Sequence, residues 1–124
     1  MLRACAVAAL ALVPSMAWAV PIPTTGSATG LASGTGTLNG TVDPGGGPAD
    51  AWFEWGTTAS YGNATPHTSL AASSSPAAVQ HTLTGLTYGD VIHFRVVGDD
   101  GGGAQNGADQ TFTVPDTVPP PRPR

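Results

Sequence analysis

His67, His81 and His93 are the only histidines of this 124-residue chain, Cys5 is its only cysteine and Glu54 its only glutamate. A zinc site needs three or four nitrogen or sulfur ligands converging on one point, and no two of these histidines stand at ligand spacing. His81 and His93 fall on segments that read as strands, so folding could bring them close, yet no third ligand accompanies them. No metal and no cofactor are expected. Ser73-Ser74-Ser75 lacks the strand–Gly-x-Ser-x-Gly–helix setting that exposes and activates a serine nucleophile. Glycoside hydrolysis needs two carboxylates facing each other across a cleft. Here the aspartates concentrate in turns, where their side chains cap backbone amides, and Glu54 has no partner acid. The chain does not read as an enzyme. One acidic run, Asp99-Asp100-Gly101-Gly102-Gly103 with Asn106 and Asp109, offers hard oxygen ligands that suit Ca²⁺. Its spacing matches neither the EF-hand loop nor the calcium-binding nonapeptide. The other reading is a hairpin loop between the last two strands, with glycine supplying positive φ.

The elements that would position any such residues follow from composition and patterning. Charged residues make up 10% of the chain, less than half of the roughly 25% usual in soluble domains. Four arginines, no lysine and a net charge of −4 leave no basic stripe, which excludes nucleic acid and anionic membranes as expected partners. The length provides for one domain. Arg3, the apolar run Ala4–Val13 and the small-x-small triplet Ala17-Trp18-Ala19 read as a signal peptide over residues 1–19, cleaved after Ala19. Its apolar run is half of the roughly 20 residues a membrane span requires. The reading is therefore an exported, cysteine-free mature chain, secreted or held at the cell surface, without a transmembrane segment. Residues 20–27 read as a flexible lead. The Pro-rich segment 115–124 reads as a polyproline-type tail or linker.

Between these ends, glycine and proline gather at turns (Asp43-Pro44-Gly45-Gly46-Gly47-Pro48, Thr84-Gly85, Asp99–Gly103), and alternating segments lie between the turns. Leu38 and Val42 share a face of 37–42. Phe53 and Trp55 share a face of 51–56, with Trp52 and Glu54 on the other. Val79 and Leu83 share a face of 79–83. Ile92, Phe94 and Val96 alternate with His93 and Arg95, and Phe112 and Val114 alternate with Thr111 and Thr113. A period of two with one polar side describes an antiparallel strand covering a core. No segment carries a 3.6-residue apolar repeat. The expected fold is all-β, a two-sheet antiparallel β-sandwich of about seven strands. Its expected core is Leu38, Val42, Phe53, Trp55, Val79, Leu83, Leu86, Ile92, Phe94, Val96 and Phe112, and residues 69–78 are expected to form a loop.

Residues 28–114 resemble a fibronectin type III-like, immunoglobulin-like domain of secreted and surface bacterial proteins. The resemblance is carried by Ala28-Thr29-Gly30, Thr37–Gly45, Phe53-Glu54-Trp55-Gly56-Thr57-Thr58 with Tyr61-Gly62, Leu83-Thr84-Gly85-Leu86-Thr87, His93–Val97 and Gly107–Thr113. Where the family has a tyrosine tying a strand to its preceding corner, this chain has Ile92, and Tyr88 is the candidate replacement. The resemblance implies a spacer or adhesion module with no catalytic residues. It also implies that 51–56 and 91–97 are antiparallel neighbours. Trp52, Glu54, His93 and Arg95 then share one outer face beside Thr111 and Thr113. An indole beside a carboxylate and a guanidinium would suit a sugar ring or a partner's aromatic. The expected function is therefore non-catalytic: adhesion, spacing or recognition of a cell-surface protein or glycan by a monomeric module. The alternatives are a carbohydrate-binding module and an accessory domain of a larger secreted enzyme.

Overall fold

The computed structural model describes residues 19–115, which form strands and turns with no helix among them. Residues 1–18 of the segment read as a signal peptide and residues 116–124 of the segment read as a tail lie outside the described residues. One sheet contains β1 (Ile22–Thr25), β2 (Thr29–Ala32), β3 (Thr35–Asp43) and β7 (Ala77–Leu83). In it β3 pairs with β1 and β2 along one side and with β7 along the other. The second sheet contains β4 (Ala49–Gly56), β5 (Asn63–Ala64), β6 (Thr68–Leu70), β8 (Val91–Asp99), β9 (Ala104–Asn106) and β10 (Gln110–Thr113). All pairings are antiparallel. This is the two-sheet sandwich that the period-two segments imply, with ten strands because several edge strands are short or divided.

The alternation maps onto burial. Gly36, Leu38, Gly40 and Val42 of β3 point inward, as do Ile92, Phe94 and Val96 of β8. Phe53, Phe94 and Phe112 form a chain of tilted contacts through the centre, with ring centroids 6.4 and 6.1 Å apart. Such inclined aromatic pairs contribute about 0.5–1.5 kcal/mol beyond their buried area. Gly36 makes room for this packing, because a Cβ there would stand 2.8 Å from the Phe112 ring. Ala51 and Val114 complete the core, while Trp55 and Leu86, expected inside it, are only partly buried and pack against its rim.

Three expectations are revised. Residues 22–25 are not a free lead, because β1 pairs with β3 from Ile22↔Asp43 to Thr25↔Gly40. Pro21 and Pro23 disguise it in the sequence, and as an edge strand β1 tolerates Pro23. Thr25 is buried, and its Oγ1 accepts the Val96 N–H at 3.2 Å. That N–H has no ladder partner, because β9 ends at the level of Val97 and β10 begins at the level of Phe94. The segment expected as a 69–78 loop gives Ser69 and Leu70 to β6 and Ala77 and Ala78 to β7. Finally, Tyr88 is 64% exposed and does not replace the missing tyrosine. The corner is closed by backbone alone: Asp90 N–H to Thr87 O (3.1 Å), Gly89 N–H to Val114 O (3.0 Å) and Val114 N–H to Asp90 O (2.9 Å).

Candidate functional site

The outer face of the second sheet is built in rows that cross its strands. Register places Ser69, Asp50, Asp99 and Ala104 in one row, and Trp52, Val97 and Asn106 in the next. Glu54 stands directly opposite Arg95, and Gly56 opposite His93, which in turn faces Thr111. The four residues singled out from sequence (Trp52, Glu54, His93 and Arg95) therefore do share this face. Strand alternation puts them there, because their neighbours Phe53, Phe94 and Val96 fill the core.

Glu54 and Arg95, expected on one face, form an ion pair. Arg95 Nε donates to Glu54 Oε1 at 2.8 Å, and Nη2 lies 2.6 Å from the same oxygen. Both side chains are about one-third exposed, so the pair is screened by solvent and contributes about 0.2–1 kcal/mol. The flat side of the guanidinium rests on Tyr61, with Cζ 4.7 Å from the ring centroid, a cation–π contact of about 0.5–1 kcal/mol at such a site. Tyr61 then donates its hydroxyl to Asp109 Oδ1 at 2.9 Å. The other oxygen of Asp109 lies 3.0 Å from His93 Nδ1. A carboxylate can only accept, so the proton is on Nδ1. Glu54, Arg95, Tyr61, Asp109 and His93 thus form one continuous chain of contacts. Burial first, then the hydrogen bond to Asp109 and that carboxylate's charge, raise the Tyr61 phenol above its ordinary 10.0. Beside this chain lies a depression lined by Glu54, Ser60, Tyr61, Gly62, Asn63, Ala64 and Arg95.

Tyr61 was not among the sequence candidates, and Asp109 was one only as an oxygen ligand of the acidic run, not as a partner of Tyr61 and His93. Tyr61 owes its place to a left-handed backbone, φ 61°, followed by Gly62 at φ 104°. That turn folds the Tyr61 carbonyl onto Gly56, where any Cβ would collide with it. A glycine ending a strand and a Tyr-Gly pair five residues later were the available signal. Its meaning emerges only from the turn's backbone.

Trp52 differs more from expectation. His67 from the β5–β6 connection stacks on it, centroids 4.0 Å apart and planes 5° from parallel, and His67 Nδ1 approaches Asp50 Oδ2 at 3.8 Å. Opposite Trp52 in register, Val97 is only 1% exposed although it lies on the outer side of the sheet. The indole is therefore half-buried, with one face already occupied. His67 follows Pro66 in a short connection, and nothing in its local sequence announces the stack.

The remaining candidates disperse. His81 lies on β7 in the first sheet and His93 on β8 in the second, so the fold separates the one pair of histidines that strand placement had brought into question. The acidic run forms the hairpin between β8 and β9. Asp99 Oδ1 accepts Gly101 N–H (2.7 Å), Asp100 Oδ1 accepts Gly102 N–H (2.9 Å), and Asp109 is committed to Tyr61 and His93. Among the described residues no three metal-ligating side chains converge. Nor is any helix among them long and apolar enough to cross a membrane.

No protein-family model matches the chain, and no curated protein matches it. Solved structures do resemble it in fold. A short form of the sensor domain of the anti-sigma factor RsgI4 from Pseudobacteroides cellulosolvens superposes with a TM-score of 0.63 at 15% identity, covering 79% of this chain and 97% of that one. A longer form of the same domain gives a TM-score of 0.63 at 14% identity, covering 85% and 99%. The solution structure gives 0.61 at 14% identity, covering 85% and 91%. At that identity the likeness establishes the all-β sandwich and carries no residue of the site with it.

Proposed function

We propose that the chain is a secreted, fibronectin type III-like recognition module that binds a cell-surface protein or glycan through the outer face of its second sheet. The observation that carries this reading is the contact chain Glu54–Arg95–Tyr61–Asp109–His93 lying beside the Trp52–His67 stack. Polar and aromatic groups held in place by one another lose little conformational freedom on binding, and aromatic and arginine side chains are the usual anchors of interfaces. Because His67 covers one side of the indole, a sugar or aromatic partner meets indole and imidazole together, with Arg95 and Asn63 supplying directional donors at the nearby depression. The solved structures of like fold are sensor domains, and sensing is the form of recognition that this likeness brings to the proposal. Export follows from the segment read as a signal peptide, with the mature chain beginning at Val20.

The test compares the parent with Trp52→Ala and Arg95→Ala on a glycan array and on cell-surface preparations, after thermal melts have shown that the variants remain folded. Loss of either side chain is expected to weaken binding at least tenfold, about 1.4 kcal/mol. If folded variants bind as the parent does, this face only holds register and keeps the sheet soluble.

A further inference from the structure

A β-sheet edge presents unpaired N–H and C=O groups, and proteins blunt such edges with proline, charge, bulges or short strands. Nearly every edge of this sandwich is treated in one of these ways. β1 contains Pro23 and follows the buried Pro21, and β2 meets β3 with a register irregularity. β5 and β6 are two and three residues long with Pro66 between them, and β9 and β10 are separate pieces beside β8. β7 has none of these features. It runs seven residues, Ala-Ala-Val-Gln-His-Thr-Leu, without proline, glycine, lysine, arginine or carboxylate. It also pairs with β3 in unbroken register from Gly36↔Leu83 to Val42↔Ala77.

The direction of its free groups can be worked out. The Asn39 carbonyl accepts Gly26 N–H at 2.8 Å on the β1 side of β3. Asn39 therefore turns its backbone groups away from β7, and its register partner Gln80 turns its own away from β3. By alternation, Ala78, Gln80 and Thr82 direct N–H and C=O to open solvent. Among the described residues no hydrogen bond reaches these groups.

We infer that β7 is a strand-pairing edge, and that its occupant is β7 of a second copy of this chain. The pairing is antiparallel about a two-fold axis at Gln80. Gln80 faces its own counterpart and Ala78 faces Thr82 of the second copy, so each outward N–H meets an outward C=O. Charge selects this edge over the others. The chain is net −4, and the second sheet carries Asp50, Glu54, Asp99, Asp100 and Asp109 on or beside its strands, whereas β7 carries no acid. Two like-charged copies approach with least repulsion along the uncharged strand. The contact joins two sheets edge to edge and buries little side-chain area, so it is a weak, concentration-dependent dimer in place of the single-copy module expected from sequence.

The experiment is sedimentation and amide hydrogen exchange of the chain purified from a secretion host, with concentration raised from about 10 µM to about 1 mM. The mass average should rise toward the dimer, and exchange at Ala78, Gln80 and Thr82 should slow about tenfold while other exposed amides stay unchanged. Gln80→Pro removes an outward N–H that the domain itself does not use, and Ala78→Lys places a charge on the edge while keeping every backbone group. Both variants should remain monomeric. A chain monomeric at the highest concentration overturns the inference and leaves the edge to strands of other proteins. Dimerisation without protection of those three amides, or undiminished by Ala78→Lys, overturns it as well.

Discussion

Replacing Thr25 with valine removes one hydroxyl while preserving side-chain shape and leaves a backbone donor without a partner. Thr25 is buried, and its Oγ1 is the acceptor that reaches the Val96 N–H across from the first sheet. No strand replaces it there, because the neighbouring chain swings out between β9 and β10 and returns only Gly107 N–H to the Val96 carbonyl at 2.8 Å. Water cannot replace it either, since Val96 is fully buried. An unsatisfied buried donor costs about 1–3 kcal/mol, and each kcal/mol corresponds to about 4–8 °C of melting temperature in a domain of this size. Thr25→Val should therefore melt at least about 4 °C below the parent, with accelerated hydrogen exchange at Val96. Thr25→Ser retains the hydroxyl and should keep Val96 protected. If Thr25→Val melts with the parent and Val96 stays protected, then β1 is not integral to the fold and the bond that ties it to the second sheet has no energetic weight.

Two further outcomes follow from the site. Gly56→Ala places a methyl group against the Tyr61 carbonyl, so the Tyr61–Gly62 turn must move; thermal melts should show a loss of about 1–3 kcal/mol, and NMR should show release of the Tyr61–Asp109 contact. Spectroscopic titration should place ionisation of Tyr61 above 10.0, the ordinary value from which it is raised. The fold favours the protonated phenol, so this contribution to stability is present below the unfolded value and is lost as pH climbs from there through the folded one. Tyr61→Phe should abolish that alkaline loss.

Legibility in the sequence followed the strength of the local pattern. The run from Val91 to Val97 shows both its core face and its polar face, and with 51–56 beside it the sequence places Glu54 and Arg95 on one face, where they pair. The β1 strand was hidden because prolines and threonines look like linker, and its strand character comes from pairing with β3 rather than from propensity. The His67 stack and the Tyr61 turn were hidden for another reason. Both arise where a connection folds back over a neighbouring strand, and local alternation does not record the direction of a loop. Leu86 lies beyond the end of β7 and Trp55 next to the end of β4, and both are only partly buried against the core.

The corner closed by Val114 also fixes how the domain bears tension. Pro21 packs beside Gly98 at one end of β8, while Val114 is hydrogen-bonded to Asp90 at the other. The nine residues of β8 separate these points by roughly 30 Å at 3.3 Å per residue. A pull between them runs along the strands. It drags β1 lengthwise past β3 and β10 lengthwise past β8, so each ladder is loaded in shear across all its bonds together rather than peeled from one end. The lifetime of such a domain under load is set by its unfolding rate, and the strand that sequence alone would have discarded as linker is one of the two that must slide first.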